Sequence, residues 1–311
     1  MAAVKKIHLQ EVGLRDGIQH EEKLVPAAVK ITWAERLLAS GLDLVQLGAF
    51  VRADKVPQMA DAEELFKHFL GRDPKLASRL VALVLNEKGL ERGMKCGVQV
   101  FCVGSSASET HSRENTGMGS EEAARRVAAT AREAIKTGKK VHASVHSSFG
   151  CGYEGPVPAE KVLSVAKTYL EAGVSSIGLS DTAGHANPPQ VKALFTALAR
   201  LAPGLPLSCH FHNAYGTGLA NCFAALEAGV TWFDTSVGGL GGCPFIKLPS
   251  GNVCTEDFVH TLQRMGVRKD LDLEEMISVA RAASKFFGRE LPGAVMKTGS
   301  IVDFRGQGKK P

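Results

Sequence analysis

Short apolar runs alternate with longer stretches of helical spacing along almost the whole chain. The runs predict strands at 7–12, 42–48, 80–85, 98–103, 140–145, 174–179, 207–212 and 230–235. The stretches between them predict helices at 26–39, 60–70, 87–95, 120–137, 158–172, one opening near Pro189, 218–228 and 255–265. Pro26 suits a first helical turn, Ser120 an N-cap and Gly41 a stop. Residues 104–119 read as a polar loop. A last helix, 272–287, has no strand after it.

Eight strand-then-helix units, each of βαβ size, predict a closed α/β barrel of the TIM (β/α)8 type with an additional C-terminal helix. An open doubly wound sheet would normally stop at fewer strands. No linker divides the chain, so residues 1–311 read as one domain, with the barrel at about 5–268 and the helical extension at about 270–290. In such a barrel the chemistry sits at the carboxyl ends of the strands.

Those ends carry a selective set of side chains. The first ends in Arg15 and Asp16, followed by Gln19, and the second near Gln46. The sixth ends in Ser180, Asp181 and Thr182, and the seventh in His210-Phe211-His212. Alternate strand residues share a face, so both imidazoles of the seventh project together. Strand eight is followed by a glycine-rich loop, 238–245, containing Cys243, and then by Asn252. In a closed barrel strands one, seven and eight are neighbours, which lets Asp16, His210, His212 and Asn252 converge. Two imidazoles, a carboxylate and an amide oxygen suit a catalytic divalent ion better than a closed structural site. Taken singly, Asp16 also reads as a loop cap and Asn252 as a helix N-cap.

Composition narrows the partners. Apolar residues make up 44% and charged residues 22%, the profile of a globular protein. The net charge of +5 is scattered, so nucleic acid is not expected, and a small anionic ligand suits it weakly. Seven cysteines without a CxxC pair read as free thiols in a reducing compartment. No signal peptide or membrane-spanning run is read, so a cytoplasmic location is expected.

The segments 13–19, His210-x-His212 with Tyr215-Gly216 and Leu219-Ala220-Asn221, 236–245, 56–61 and 250–252 resemble the hydroxymethylglutaryl-CoA lyases. The Arg-Asp element and the His-x-His are shared with a wider metallolyase superfamily, and the cysteine loop is the narrower signal. The resemblance implies a TIM barrel, Mg²⁺ or Mn²⁺, and cleavage of a 3-hydroxyacyl-CoA to acetyl-CoA and a keto acid. It implies Asp16, His210, His212 and Asn252 as metal ligands. It makes Arg15, Asp16, His210 and Cys243 catalytic, with Asp16 or His210 as base and Cys243 as acid on a glycine-rich flap. An acyl-CoA substrate and a homodimer are expected, the last helix being a candidate interface. Gln19, Gln46, Ser180, Asp181 and Thr182 are candidates for substrate contact. Ser105, Ser106, His111 and Asn115 are further candidates for the acyl or CoA portion, and Arg52, Lys55 and Lys247 for CoA phosphates. His142 and His146 read as structural.

The chain departs from the resembled lyases near the site. They carry glutamate where this chain has Gln46, and usually Asn at His20, Lys at Glu22 and Asp at Asn213. An amide cannot act as an acid or a base. A related substrate such as citramalyl-CoA, a Claisen-condensing acyltransferase, and a barrel that binds acyl-CoA without turnover are the alternatives.

Overall fold

Along residues 140–146 the side chains alternate in character, and the chain sorts them by face. Val141, Ala143 and Val145 are buried in the main apolar core, while His142, Ser144 and His146 line the barrel interior. The computed structural model that describes residues 6–242 and 251–301 shows this segment as one of eight parallel strands closed into a barrel. The strands are β1 His8–Glu11, β2 Leu44–Ala49, β3 Leu80–Leu83, β4 Val100–Ser106, β5 Lys140–His146, β6 Ser176–Asp181, β7 Leu207–Phe211 and β8 Trp232–Thr235. β8 pairs with β1 through His8 opposite Trp232 and Glu11 opposite Thr235, which closes the ring.

The outer ring is helical because each connecting segment has one apolar stripe to cover the sheet. The helices are α1 Ala27–Ala39, α2 Ala62–Arg72, α3 Glu87–Lys95, α4 Glu109–Thr116, α5 Ser120–Lys136, α6 Ala159–Leu170, α7 Pro188–Leu201, α8 Gly218–Glu227, α9 Thr255–Arg264, α10 Leu273–Phe287 and α11 Val295–Thr298. In α5 the buried residues Ala124, Val127, Ala128, Ala131 and Ala134 repeat at helical spacing. Leu37 of α1, Phe66 of α2 and Phe195 of α7 are fully buried, and each such side chain contributes about 1.5–3 kcal/mol by leaving water.

The polar loop expected at 104–119 is instead the end of β4 followed by helix α4. Ser108 Oγ accepts the His111 N–H as an N-cap, and Gly117, at φ 73°, ends the helix. Eight polar residues carry no apolar stripe, so their periodicity gives no signal.

The segment 56–61 acts as a brace. Gln58 is buried, donates to the Glu21 and Lys23 carbonyls, and accepts from the Val25 N–H. Buried Lys30 of α1 holds Asp61 at 2.8 Å and the Gln58 carbonyl. This secures the chain between β1 and α1 beside the barrel mouth. Helix α10 packs against α1, with Trp33 edge-on to Phe286 and Arg36 paired to Glu275, so its apolar face is covered within the chain. Among the described residues no helix is long and apolar enough to cross a membrane.

Candidate active site

Three backbone features assemble the site at the carboxyl ends of the strands. The first is a π-helical turn, Gly13–Gly17, directly after β1. Its start is held by Glu11, whose Oε1 accepts the Gly13 and Val237 N–H groups and whose Oε2 accepts from the Thr255 hydroxyl. A Cβ at Gly17 would lie 2.8 Å from Ser236 Oγ and 2.9 Å from Leu240 Cβ, so glycine is what lets the turn press against the strand-eight loop. The second feature is the end of β7, where His212 continues one residue past the strand. The third is the return of residues 251–253, which pair antiparallel with that end. Asn213 donates to the Gly251 carbonyl and Val253 to the Phe211 carbonyl, so His212 and Asn252 stand side by side.

These features bring Asp16, His210 and His212 together, with one ligand atom of each within 4.8 Å of the others. His210 Nε2 lies 3.7 Å from Asp16 Oδ2, and the two imidazole centroids are 5.2 Å apart. Asn252 donates its Nδ2 to Asp16 Oδ2 at 2.9 Å and to the Leu240 carbonyl at 3.1 Å. That orientation leaves Asn252 Oδ1 buried without a protein partner among the described residues, and His212 Nδ1 is in the same condition. Buried acceptors without donors are costly, about 1–3 kcal/mol each. A divalent ion bound among one carboxylate, two imidazoles and an amide oxygen would relieve them. The donor set therefore fits an open divalent-metal site.

The electrostatics agree with that use. Burial would raise the Asp16 carboxyl, but Arg15, both imidazoles and the Asn252 amide outweigh it and hold it well below the usual carboxylate range. Burial carries His212 down to about 4, which favours the neutral ring with its lone pair. His210 keeps a different partner: its Nδ1 lies 3.3 Å from Asp234 Oδ2, and Gln10 Nε2 donates to the other Asp234 oxygen at 3.0 Å. A carboxylate behind a ligating imidazole fixes the ring and its tautomer. Arg15 is clamped between Asp16 Oδ1, at 2.6 Å, and the carbonyl oxygen of Gln46.

A cavity of about 350 Å³ opens over this cluster and continues down the barrel axis. Arg15, Asp16, Gln19, Gln46, Ser180, Thr182, His210 and His212 all line it, as do Ser105, Ser106, His111 and Asn115. Asp181 does not; it is buried, and its carboxylate accepts the His185 and Ala186 N–H groups of the turn after β6. Arg52 is exposed, paired with Asp54 at 2.6 Å, and does not line the cavity. Cys243 and Lys247 lie outside the described residues, although Gly242, directly before Cys243, lines the cavity.

His142 and His146, read from the sequence as structural, both line the cavity. Gly104 makes room for the second, since a Cβ there would lie 2.5 Å from His146 Nε2. The available signal was period two: His142, Ser144 and His146 alternate as His210 and His212 do. Asp234 was marked only by its place at the end of the eighth strand, with no role attached, and Gln10, an amide inside the first strand, carried no signal.

Behind the site lies a second buried acid. Glu256 accepts the Gly238 N–H with Oε2, and its Oε1 has no partner among the described residues. Burial pushes its pKa from 4.5 up to about 8. A folded pKa above the unfolded one means that the folded chain holds the extra proton. The stability this brings is full below about 4.5 and is lost as pH rises through about 8. Glu256→Gln stays neutral throughout, so its melting temperature should fall less than the wild type's between pH 6 and pH 9. Parallel melting curves across that range would show that Glu256 is ionised in the fold.

The comparisons place this geometry among known proteins. The HMGL-like family model matches residues 6–282. The chain is 38% identical over 288 residues to the hydroxymethylglutaryl-CoA lyase YngG of Bacillus subtilis, covering 93% of this chain and 95% of that one. It is 32% identical over 305 residues to the (R)-citramalyl-CoA lyase of Chloroflexus aurantiacus, covering 96% of each. The solved structure of an HMG-CoA lyase from Acinetobacter baumannii in complex with coenzyme A and 3-methylmalate superposes with a TM-score of 0.89 at 33% identity. That match covers 97% of this chain and 98% of the other.

Proposed function

The chain belongs to the HMGL-like family, and from that premise we propose how its barrel mouth cleaves a 3-hydroxyacyl-CoA between C2 and C3. The enzyme is an oxo-acid lyase acting on a substrate like 3-hydroxy-3-methylglutaryl-CoA, with acetyl-CoA and a keto acid as products. The observation that carries the site assignment is the convergence of Asp16, His210 and His212, with Asn252 bonded to Asp16 and its Oδ1 left without a partner among the described residues.

Asp16, His210, His212 and Asn252 would hold the divalent ion. When bound, it supplies positive charge for the substrate's C3 oxygen and distal carboxylate. The C3 hydroxyl proton passes to the Asp16–His210 pair, where Asp234 behind the imidazole stabilises the protonated ring. As C3 becomes a carbonyl, the bond to C2 breaks and its electron pair becomes the thioester enolate. Arg15, fixed between Asp16 and Gln46, places a permanent charge beside the developing oxyanion. The enolate is then protonated on C2, a step assigned to the Cys243 thiol. Mg²⁺ or Mn²⁺ is the ion proposed and the cytoplasm the location proposed, with which the free cysteines among the described residues accord, since they suit a reducing compartment.

The test is a panel of hydroxyacyl-CoAs assayed with Mn²⁺, alongside metal analysis of the purified protein. Cleavage of none of them, with acyl-CoA binding retained, would leave a binding barrel instead. A citramalyl-CoA substrate is the second reading, favoured by Gln46. The amide leaves the Arg15 charge balanced by Asp16 alone, whereas glutamate would pair with it. Gln46→Glu is expected to lower turnover on the preferred substrate about tenfold by drawing Arg15 away from the oxyanion. A large gain on hydroxymethylglutaryl-CoA would show instead that the amide is a deficit for that substrate.

A further inference from the structure

TIM barrels ordinarily fill their interior with layers of branched side chains. Here only the lowest layer does so: Leu44, Val81 and Val100 form a small apolar cluster, with Trp232 packed against it. Above that layer serines of β5, β6 and β7 face the cavity, beside His142 and Asp234. Ser144 and Ser180 hydrogen-bond each other at 2.7 Å, and Ser176 and Ser208 lie lower. Gly178 sits between them in register with Ser144 and Ser208, and a Cβ there would lie 2.2 Å from Ser208 Oγ. The cavity that opens over the metal cluster reaches His142, Ser176, Ser208 and Trp232 without interruption.

We propose that this lower half is a subsite for a substituent on C3 of the acyl group that is longer than methyl, uncharged, and carries a hydroxyl. The proposal rests on the lyase reading and adds the substrate class. Depth follows from register. Trp232 precedes Asp234 by two residues, and Ser208 precedes His210 by two, in paired strands. Two residues rise about 6.6 Å along a strand, or roughly 5 Å along the axis of a tilted barrel. That depth takes about three or four bonded atoms at ~1.5 Å spacing, where a methyl group would leave the floor empty.

The polarity of the wall selects the chemistry. Ser144 and Ser180 already satisfy each other, but an alkyl chain would cover the hydroxyls of Ser176 and Ser208 with carbon. A carboxylate would face Asp234, and the lining cation among the described residues is Arg15, up beside Asp16. Asp234 is already engaged by His210 and Gln10, and burial holds His142 neutral, so no charge is left over for a charged tail. A hydroxyl both donates and accepts, which matches a wall of serines, an imidazole and the Cys102 thiol. The reaction balances as before: the C2–C3 bond breaks, acetyl-CoA leaves, and the tail departs with the keto acid.

The experiment compares kcat/KM of the Mn²⁺-loaded wild-type enzyme on three acyl-CoAs: 3-hydroxy-3-methylglutaryl-CoA, its 3-(2-hydroxyethyl) analogue and its 3-propyl analogue. The hydroxyethyl compound is expected to exceed each of the others at least tenfold. Ser176→Leu and Ser208→Val narrow the lower cavity and should each reduce that preference about tenfold or more, read as a ratio within one preparation. If the methyl compound is cleaved as well as the hydroxyethyl one, or the propyl compound is better, the subsite is overturned and the lyase reading stands. If none of the three is cleaved, the subsite is overturned, and cleavage of citramalyl-CoA decides whether the lyase reading stands.

Discussion

Asp16→Asn is expected to weaken Mn²⁺ binding by about 100-fold or more and to lower turnover by about 10³-fold. The substitution keeps the shape of the side chain and removes its charge. Asp16 is the one carboxylate of the clustered set, and its oxygens meet Arg15, Asn252 and His210. Without that charge two imidazoles and two amides remain, and none of them neutralises a divalent ion. Arg15 also loses the anion that orients it, so the charge proposed for the oxyanion drifts from its place. Mn²⁺ titration followed by electron paramagnetic resonance reads the first effect without any turnover. Unchanged Mn²⁺ affinity, in a variant that melts like the wild type, would reduce Asp16 to a cap on the Gly13–Gly17 turn.

Cys243→Ala is the second large effect, with kcat expected to fall by about 10²–10⁴ while Mn²⁺ affinity stays within about threefold. Cys243 lies outside the described residues, and both ends of its segment stand at the site. Gly242 lines the cavity, and Gly251 lies so close to the strand-eight loop that a Cβ there would be 2.2 Å from the Gly239 carbonyl oxygen. The enolate needs an acid, and the carboxylates that line the cavity among the described residues, Asp16 and Asp234, are both committed to partners. Among the described residues the other lining thiols are Cys102 and Cys209, and burial holds both protonated, Cys102 at about 12. A kcat near the wild-type value, or a parallel loss of metal binding, would exclude the acid role.

The legible part of the fold came from patterns that local physics enforces. A residue pair such as His210 and His212 shares a face in any strand, so the half-site could be read before any neighbour was known. Helix α5 declared itself through an alanine- and valine-rich stripe, whereas α4 had only a serine cap and a terminal glycine to mark it. Asp181 shows the opposite failure: a carboxylate at a strand end looked available, but the turn after β6 had two N–H groups to satisfy and took it.

The sequence by itself determined the number and order of the units, the closed barrel, and the placing of Asp16, His210 and His212 at its strand ends, because strand and helix periods act over a few residues. Tertiary structure alone decided that residues 251–253 fold back to set Asn252 against His212, that Asp234 and Gln10 stand behind His210, and that the barrel is open beneath them. Gln10 meets Asp234 only because ring closure joins residues 224 positions apart, the other contacts join residues on different elements, and the opening depends on space left by serines and a glycine. No local period records a contact of that range or an absence of side-chain volume.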